Sequence, residues 1–315
     1  MKVVAFHSNE LNERGTNVAM YDYAHYNEAI LGNKSYIISN KNADLTALIK
    51  FQDRFEVFLY NDFNECTEFC AQKNIQYVYY VKAGDQDGKI IPNCKSCIHA
   101  VFQHRDEHGD AYAYISQWLA QRMSLPNNYV PYMVDMPPAK QSYRSKLNIP
   151  EQAIVIGRHG GYSEFDLPFV HRAISKVLER RNDIYFVFMN TRPFMKKHPN
   201  VIHVEGTFNM QHKANYITTC DYMLHARYMG ESFGLALSEF LFQGKPVISW
   251  VGGQDQNHRE ILQDRGIWYE GEKDLIDILD NLQKQNKGEY YYKELVQEFT
   301  PDKVMDKFNK MFLSV

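Results

Sequence analysis

Apolar and polar positions alternate along the chain in blocks of two kinds. Short runs rich in Val, Ile, Tyr and Phe are separated by longer stretches in which apolar residues recur at helical spacing. The first kind predicts buried strands and the second amphipathic helices. In the first half, Lys2–Phe6, Ser35–Ile38, Phe55–Tyr60 and Gln76–Val81 read as strands, and Ile98–Phe102 and Tyr112–Ser116 as later strands of the same sheet. Helices are expected over Asn17–Leu31, Ala43–Phe51, Asp62–Lys73 and Gln117–Met123. Leu125-Pro126-Asn127-Asn128 and Met136-Pro137-Pro138 then bracket the short run Tyr129–Val134. Prolines fix the backbone and end helices, so a linker is predicted over Val134–Ser142.

The second half repeats the alternation. Strands are expected at Ala153–Ile156, Tyr185–Met189, Val201–Val204, Tyr222–His225, Pro246–Trp250 and Ile267–Tyr269. Helices are expected at Leu167–Glu179, Gln211–Thr219, Phe233–Phe242, Asn257–Asp264, Lys273–Gln285 and Pro301–Phe312. Such alternation implies parallel strands with helices on both faces. The expected fold class is therefore α/β, with two doubly wound domains, residues 1–135 and 136–299, and a terminal helix within 300–315 free to pack back on the first. A central cleft between them is the default ligand site.

Composition narrows the function. The 315 residues carry 35 basic and 38 acidic side chains, a net charge of −3, which gives no basic surface for nucleic acid. No window approaches the roughly 18 apolar residues of a membrane span, and the apolar run at the N-terminus is too short for a signal peptide. A cytoplasmic protein is expected, compatible with peripheral membrane contact. The 22 tyrosines suit either tyrosine-rich strands or clefts that stack sugars and bases. Five cysteines, Cys66, Cys70, Cys94, Cys97 and Cys220, read as reduced thiols, with a four-thiolate zinc site from the first four as the alternative.

The chemistry concentrates between Tyr222 and Trp250. A strand ends at His225-Ala226-Arg227, a loop holds Gly230-Glu231-Ser232, and a helix opens near Phe233-Gly234-Leu235. Unpaired amides at a helix start, with the positive end of its dipole, make an anion site. Gly234 lets a phosphate approach the backbone. Glu231 and Glu239 flank that site and can accept hydrogen bonds from sugar hydroxyls; Glu239, set among apolar neighbours, can equally pair with a nearby basic residue. Upstream, Gly157-Arg158-His159-Gly160-Gly161 follows a strand. In the first half, Gly15 and Thr16 open a helix after the loop from His7 to Arg14. His99, His104 and His108 surround a strand end, where His104 and His108 could join Asp106 or Asp110 at a metal.

The stretch GESFGLALSEFLFQGKPVISW resembles the E-x7-E signature of retaining GT-B glycosyltransferases, family four in particular. The resemblance implies a GT-B fold of two Rossmann-like domains, acceptor-side first and nucleotide-sugar-binding second, and a sugar transfer with retention and without a metal or other cofactor. The donor would be a UDP- or GDP-sugar and the acceptor a glycan or small hydroxyl compound. By position, Glu231 would bind donor sugar hydroxyls, the amides of Phe233, Gly234 and Leu235 the diphosphate, and Glu239 the ribose. Arg158 would meet the phosphates with the Gly160 and Gly161 amides, and Gly15 and Thr16 would form the first-domain loop. His99 or His104 would lie near the reacting sugar. The family's Lys a few residues after Arg158 is missing, since Tyr162-Ser163-Glu164-Phe165-Asp166 stand there. Arg158 and the Gly160-Gly161 amides suffice alone, or Arg192, Lys196 or Arg227 substitutes. Asp255, Asn257 and His258 are further candidates. Two other enzymes fit parts of the pattern: a metal-dependent GT-A type transferase using Asp85 and Asp87, and a sugar-nucleotide epimerase.

Overall fold

The computed structural model describes residues 1–12, 15–285 and 287–315. The chain divides into two compact units: residues 1–133 with 298–315, and residues 134–297.

The first unit is built on a six-stranded parallel sheet. Its strands are β1 (Val3–Ser8), β2 (Lys34–Asn40), β3 (Glu56–Tyr60), β4 (Tyr77–Lys82), β5 (Lys95–Ala100) and β6 (Ala111–Tyr114), in the order β3-β2-β1-β4-β5-β6. Helices α1 (Gly15–Ala29), α2 (Leu45–Gln52) and α3 (Glu65–Gln72) make the crossovers between β1 and β4, and α4 (Gln117–Arg122) follows β6. Asp44 and Ser116 start α2 and α4 by accepting hydrogen bonds from the amides of Ala47 and Leu119, satisfying donors that a helix start leaves orphaned. The strand expected at Ile98–Phe102 begins earlier, at Lys95, because the amides of Lys95 and Ser96 are already bonded to Gln76 O and the Asp110 carboxylate. The CxxC therefore straddles a strand start: Cys97 is buried and its thiol faces Phe312 O, while Cys94 contacts Ile75 O. All five cysteines are free thiols. Among the described residues, no group of three or more His, Cys, Asp or Glu could hold a metal ion.

The second unit repeats the scheme. Its main strands are β7 (Ile154–Arg158), β8 (Ile184–Met189), β9 (Val201–Val204), β10 (Tyr222–His225), β12 (Val247–Trp250) and β14 (Ile267–Tyr269), ordered β14-β12-β10-β7-β8-β9 and all parallel. Two further strands, β11 (Gly230–Glu231) and β13 (Asp255–Gln256), pair only with each other. The helices are α5 (Pro168–Leu178), α6 (Met210–Thr219), α7 (Leu235–Phe242), α8 (Asn257–Leu262), α9 (Glu272–Asp280) and α10 (Glu289–Lys293). The helix expected over Lys273–Gln285 stops at Asp280. Arg181 takes its last carbonyls, donating to the O atoms of Leu279 and Asp280 at 3.1 and 2.6 Å, and reaches Leu282 O just beyond it at 3.3 Å. Helix α10 carries no apolar periodicity in sequence and was not expected.

Helix α11 (Pro301–Phe312) belongs to the first unit, where Phe308 and Phe312 are fully buried. Phe308 stacks on Tyr23 at 5.0 Å and lies 5.4 Å from Tyr79. Tyr23, Tyr79, Tyr80, Tyr114, Tyr216, Tyr222 and Tyr269 are all fully buried, so this part of the tyrosine excess is core. Among the described residues, no helix is long and apolar enough to cross a membrane.

His99 sits in this aromatic core with no exposed surface. Its Nε2–H donates to Val130 O at 2.8 Å, so Nδ1 carries the lone pair and accepts from the Tyr79 hydroxyl at 2.6 Å. Burial pushes His99 down to about 3 from 6.5. Burial, with the charges of Lys82 and Lys89, does the same to His7, also to about 3. Between those values the unfolded chain binds protons that the folded chain refuses, so stability falls as pH drops below about 6.5. The urea midpoint is expected to be lower at about pH 5 than at about pH 7, and His99→Gln, which removes one titrating group, is expected to shrink that difference. An unchanged difference in the variant would count against this account.

Candidate functional site

Strands β7, β10 and β12 are neighbours, so the segments leaving their carboxyl ends come together within the second unit. Ligands of doubly wound sheets bind at such ends. The loop after β10 is shaped by glycines. Gly230 has φ +71°, and a Cβ there would lie 2.0 Å from Asp255 O. That tolerance lets β11 pair with β13, Gly230 opposite Asp255 and Glu231 opposite Gln256. Asn257 Nδ2 donates to Phe233 O at 2.6 Å. Gly234, at φ +95°, is the residue before α7, and no side chain caps that helix. A residue with a Cβ is strained at that angle. The helix was expected from Phe233; it begins at Leu235 because Gly234 takes the left-handed turn.

Glu231 lies between Gly230 and Gly234, with its side chain 19% exposed. Arg227 Nη1 donates to its Oε2 at 3.1 Å, and His225 Nε2 lies 3.3 Å from Oε1. Burial alone would raise its pKa, but contact with His225 and the Arg227 charge hold it at about 2. Arg227 also donates to Glu164 Oε1 at 3.0 Å, so one guanidinium bridges two carboxylates. The Glu164 carboxyl folds over Gly161, where a Cβ would lie 2.6 Å from it.

Glu239 faces inward from α7 and is 2% exposed. Lys213 Nζ, on α6, donates to Oε1 at 2.8 Å. His159 Nε2 lies 2.9 Å from Oε2, off the line of a hydrogen bond, and its ring stacks on Phe240 at 5.6 Å. Burial would raise the Glu239 pKa; Lys213 and His159 together lower it to about 2. Burial lowers that of His159. The pairing of Glu239 with a basic residue, one of its two expected roles, is thus present.

Arg158 lies beneath its loop. Its guanidinium donates to Thr191 Oγ1, Gly161 O and Asn190 O at 2.7, 3.0 and 3.4 Å. Gly160, at φ +149°, covers it: a Cβ there would lie 2.9 Å from Nη2. Burial lowers its pKa to about 10. Arg192 and Lys196 are exposed. The structure therefore brings Glu231, Arg227, Glu164 and His225 into one cluster, and Glu239, Lys213 and His159 into another. Of Asp255, Asn257 and His258, the first two fix the backbone around Glu231; His258 Nε2 donates to Trp250 O at 3.1 Å.

The first-unit candidates are placed differently. Gly15 is exposed and Thr16 half-buried at the start of α1; Glu13 and Arg14 of that loop lie outside the described residues. His99 is a core residue, and its two ring nitrogens are both engaged, which leaves no nitrogen for a reacting sugar. His104 is half-buried, and its carbonyl accepts from the Tyr114 hydroxyl at 2.7 Å. His108 Nδ1 donates to Asp106 O, and the Asp106 and Asp110 carboxylates accept from the amides of Gln86 and Ser96. Asp87 is tied to Lys82 Nζ at 2.6 Å and to the Lys89 amide, so it forms a braced turn that does not suit a metal.

Sequence reasoning passed over His225, Lys213, His159 and Glu164 as site members. Only His225 and His159 carried a signal, as the residues ending or directly following a strand of this sheet type.

No family model matches the chain, and no curated protein matches it in sequence. Solved structures do. Anabaena HepE in complex with UDP-glucose is similar at 11% identity and a TM-score of 0.78, with 100% of each chain covered. A glycosyltransferase from Rickettsia africae is similar at 12% identity and a TM-score of 0.71, covering 99% of this chain and 98% of that one. WaaG, a glycosyltransferase involved in lipopolysaccharide biosynthesis, is similar at 12% identity and a TM-score of 0.67, covering 98% and 99%. At these identities the likeness is one of fold: the chain has the two-domain, Rossmann-like GT-B fold.

Glu239→Gln leaves Lys213 buried beside a neutral amide, which costs about 3–5 kcal/mol at about pH 7. The stability that the ionised Glu239 contributes is present above 4.5 and lost as pH falls through about 2. The gap between wild type and variant is therefore expected to close across that window, read by urea unfolding at several pH values. A gap of constant size would contradict the ion-pair assignment.

Proposed function

We propose that the chain is a glycosyltransferase that moves a sugar from a nucleoside-diphosphate sugar, UDP- or GDP-linked, to a hydroxyl of a glycan or other acceptor. The observation that carries this reading is the start of α7. A left-handed glycine and an uncapped helix lie between two carboxylates held ionised, Glu231 and Glu239. That HepE was crystallised with UDP-glucose supports a nucleotide sugar on this fold.

The diphosphate rests against the backbone amides around Gly234 and Leu235, where the helix dipole favours negative charge. Glu239 receives the ribose hydroxyls and Glu231 those of the donor sugar. In the transfer, the bond from the anomeric carbon to the phosphate oxygen breaks while the acceptor oxygen bonds to that carbon. The acceptor proton leaves with the departing diphosphate. The anomeric carbon becomes cation-like, and the helix amides with Arg227 stabilise the negative leaving group, so the step is assigned no metal ion. Retention of configuration goes with the E-x7-E resemblance, and no residue is assigned as a covalent nucleophile. Arg158, committed beneath its loop, shapes the Gly160-Gly161 turn. Arg227 takes the phosphate-facing role that a Lys after Arg158 has in the resembling family, and Glu164 stands where that Lys is missing.

A thermal-shift series with UDP, GDP and their sugars tests the donor. A bound nucleotide at about one hundred times its Kd adds about 2.7 kcal/mol of stability. Glu239→Ala is expected to abolish the response, and a full response in that variant would remove the ribose assignment. An epimerase would instead isomerise the nucleotide sugar with no acceptor present. Because Glu164 competes for Arg227, Glu164→Gln is expected to tighten nucleoside-diphosphate binding by about twofold to fivefold, the worth of an exposed ion pair. Weaker binding in that variant would exclude the competition.

A further inference from the structure

Glu231 is gripped from two sides, and one of the two grips comes from a residue with no assigned role. His225 is the last residue of β10 and is buried. Its backbone carbonyl accepts from the Tyr269 hydroxyl at 2.7 Å, which anchors the strand end to β14. Its ring is set by Ser249, the residue opposite it in register on β12, with Nδ1 2.9 Å from the serine Oγ. A hydroxyl can donate to that nitrogen or accept from it, so Ser249 suits the ring in either charge state. The other nitrogen, Nε2, is buried and lies 3.3 Å from Glu231 Oε1, a close polar contact off the line of a hydrogen bond. An ionised carboxylate only accepts, so the contact is attractive when Nε2 carries hydrogen.

The neighbouring groups leave that task to His225. His258 packs beside it, ring centres 4.8 Å apart, but its Nε2–H is committed to Trp250 O. Its Nδ1 then holds a lone pair, is buried without a partner and has no hydrogen to offer Glu231. Arg227 serves the other oxygen, Oε2. With Arg227 donating to one oxygen and the His225 ring in contact with the other, the carboxylate is restrained in rotation while the side chain keeps a partly open face. Such a group is a preorganised acceptor for hydroxyls, and preorganisation is what lets a contact discriminate.

We propose that His225, oriented by Ser249, is the positioning residue that holds Glu231 for recognition of the sugar half of the donor. This rests on the reading of Glu231 as the carboxylate that receives donor-sugar hydroxyls. His225 acts through Glu231 and needs no contact with the nucleotide, so its removal should separate two affinities that a general structural role would move together.

The test compares calorimetric Kd values for UDP and UDP-glucose, and for GDP and GDP-mannose, in the full chain. The quantity read is the gain in affinity brought by the sugar. In His225→Ala the sugar gain is expected to fall by about fivefold, the worth of one close polar contact to a carboxylate, with nucleoside-diphosphate binding unchanged. His225→Phe keeps a ring in the slot without an N–H, and is expected to behave alike if the alanine variant does not fold. His225→Gln, which can return an amide N–H toward Oε1, is expected to recover part of the gain. Unaltered diphosphate binding shows in each case that the second unit is intact. A full sugar gain in His225→Ala or His225→Phe, while Glu231→Gln loses it, would overturn the role of His225 alone. A full gain in Glu231→Gln, or none in the wild type with either pair, would remove the assignment of Glu231 itself.

Discussion

Two carboxylates lie largely out of water in the second unit, and basic neighbours hold each of them ionised. Withdrawing a carboxylate from water costs several kcal/mol, and breaking a buried pair leaves an uncompensated charge that costs about as much. Much of the local structure follows from that constraint. Glu239 is held by a lysine from α6 and a histidine following β7. Glu231 is held by a histidine at the end of β10 and an arginine two residues later. Three segments, α6 and the chain leaving β7 and β10, are thereby tied to α7 and the bend before it. The strand order sets β7, β10 and β12 side by side, and residues distant in sequence meet there without long loops.

The alternating pattern of apolar runs made most of the sheet and its helices readable in advance, because strand and helix periods leave their mark within a few residues. The ends of elements were less readable. Helix α9 stops where Arg181, about a hundred residues earlier, reaches its carbonyls, and β5 starts early through a bond to Asp110. Both are non-local bonds with no trace in the periodicity.

The candidate site divides along the same line. Gly234, Glu231 and Glu239 sit close together in sequence around a recognisable helix start. Lys213 pairs with Glu239 across 26 positions and Glu164 with Arg227 across 63, so neither could be picked out from its own surroundings. The arginine after β7 looks the same in sequence whether it faces a phosphate or its own loop; only the bonds to Thr191, Gly161 and Asn190 decide that it braces the turn. His99, in the histidine run around β5, misled for a related reason. A histidine on a strand can complete an aromatic core as well as serve chemistry, and the partners of His99, Tyr79 and Val130, come from other segments.

Helix α11 has a consequence for how the molecule is made. Its phenylalanines fill the core of the first unit, yet it follows the whole of the second unit in the chain. During synthesis the sheet of the first unit emerges early with that apolar face uncovered, and the second unit is translated before the cover arrives. The order of completion is therefore the reverse of the order of appearance: the second unit can finish its core before the first receives its last helix. Through that interval Tyr23 and Tyr79 lack the ring of Phe308 that packs on them in the finished fold.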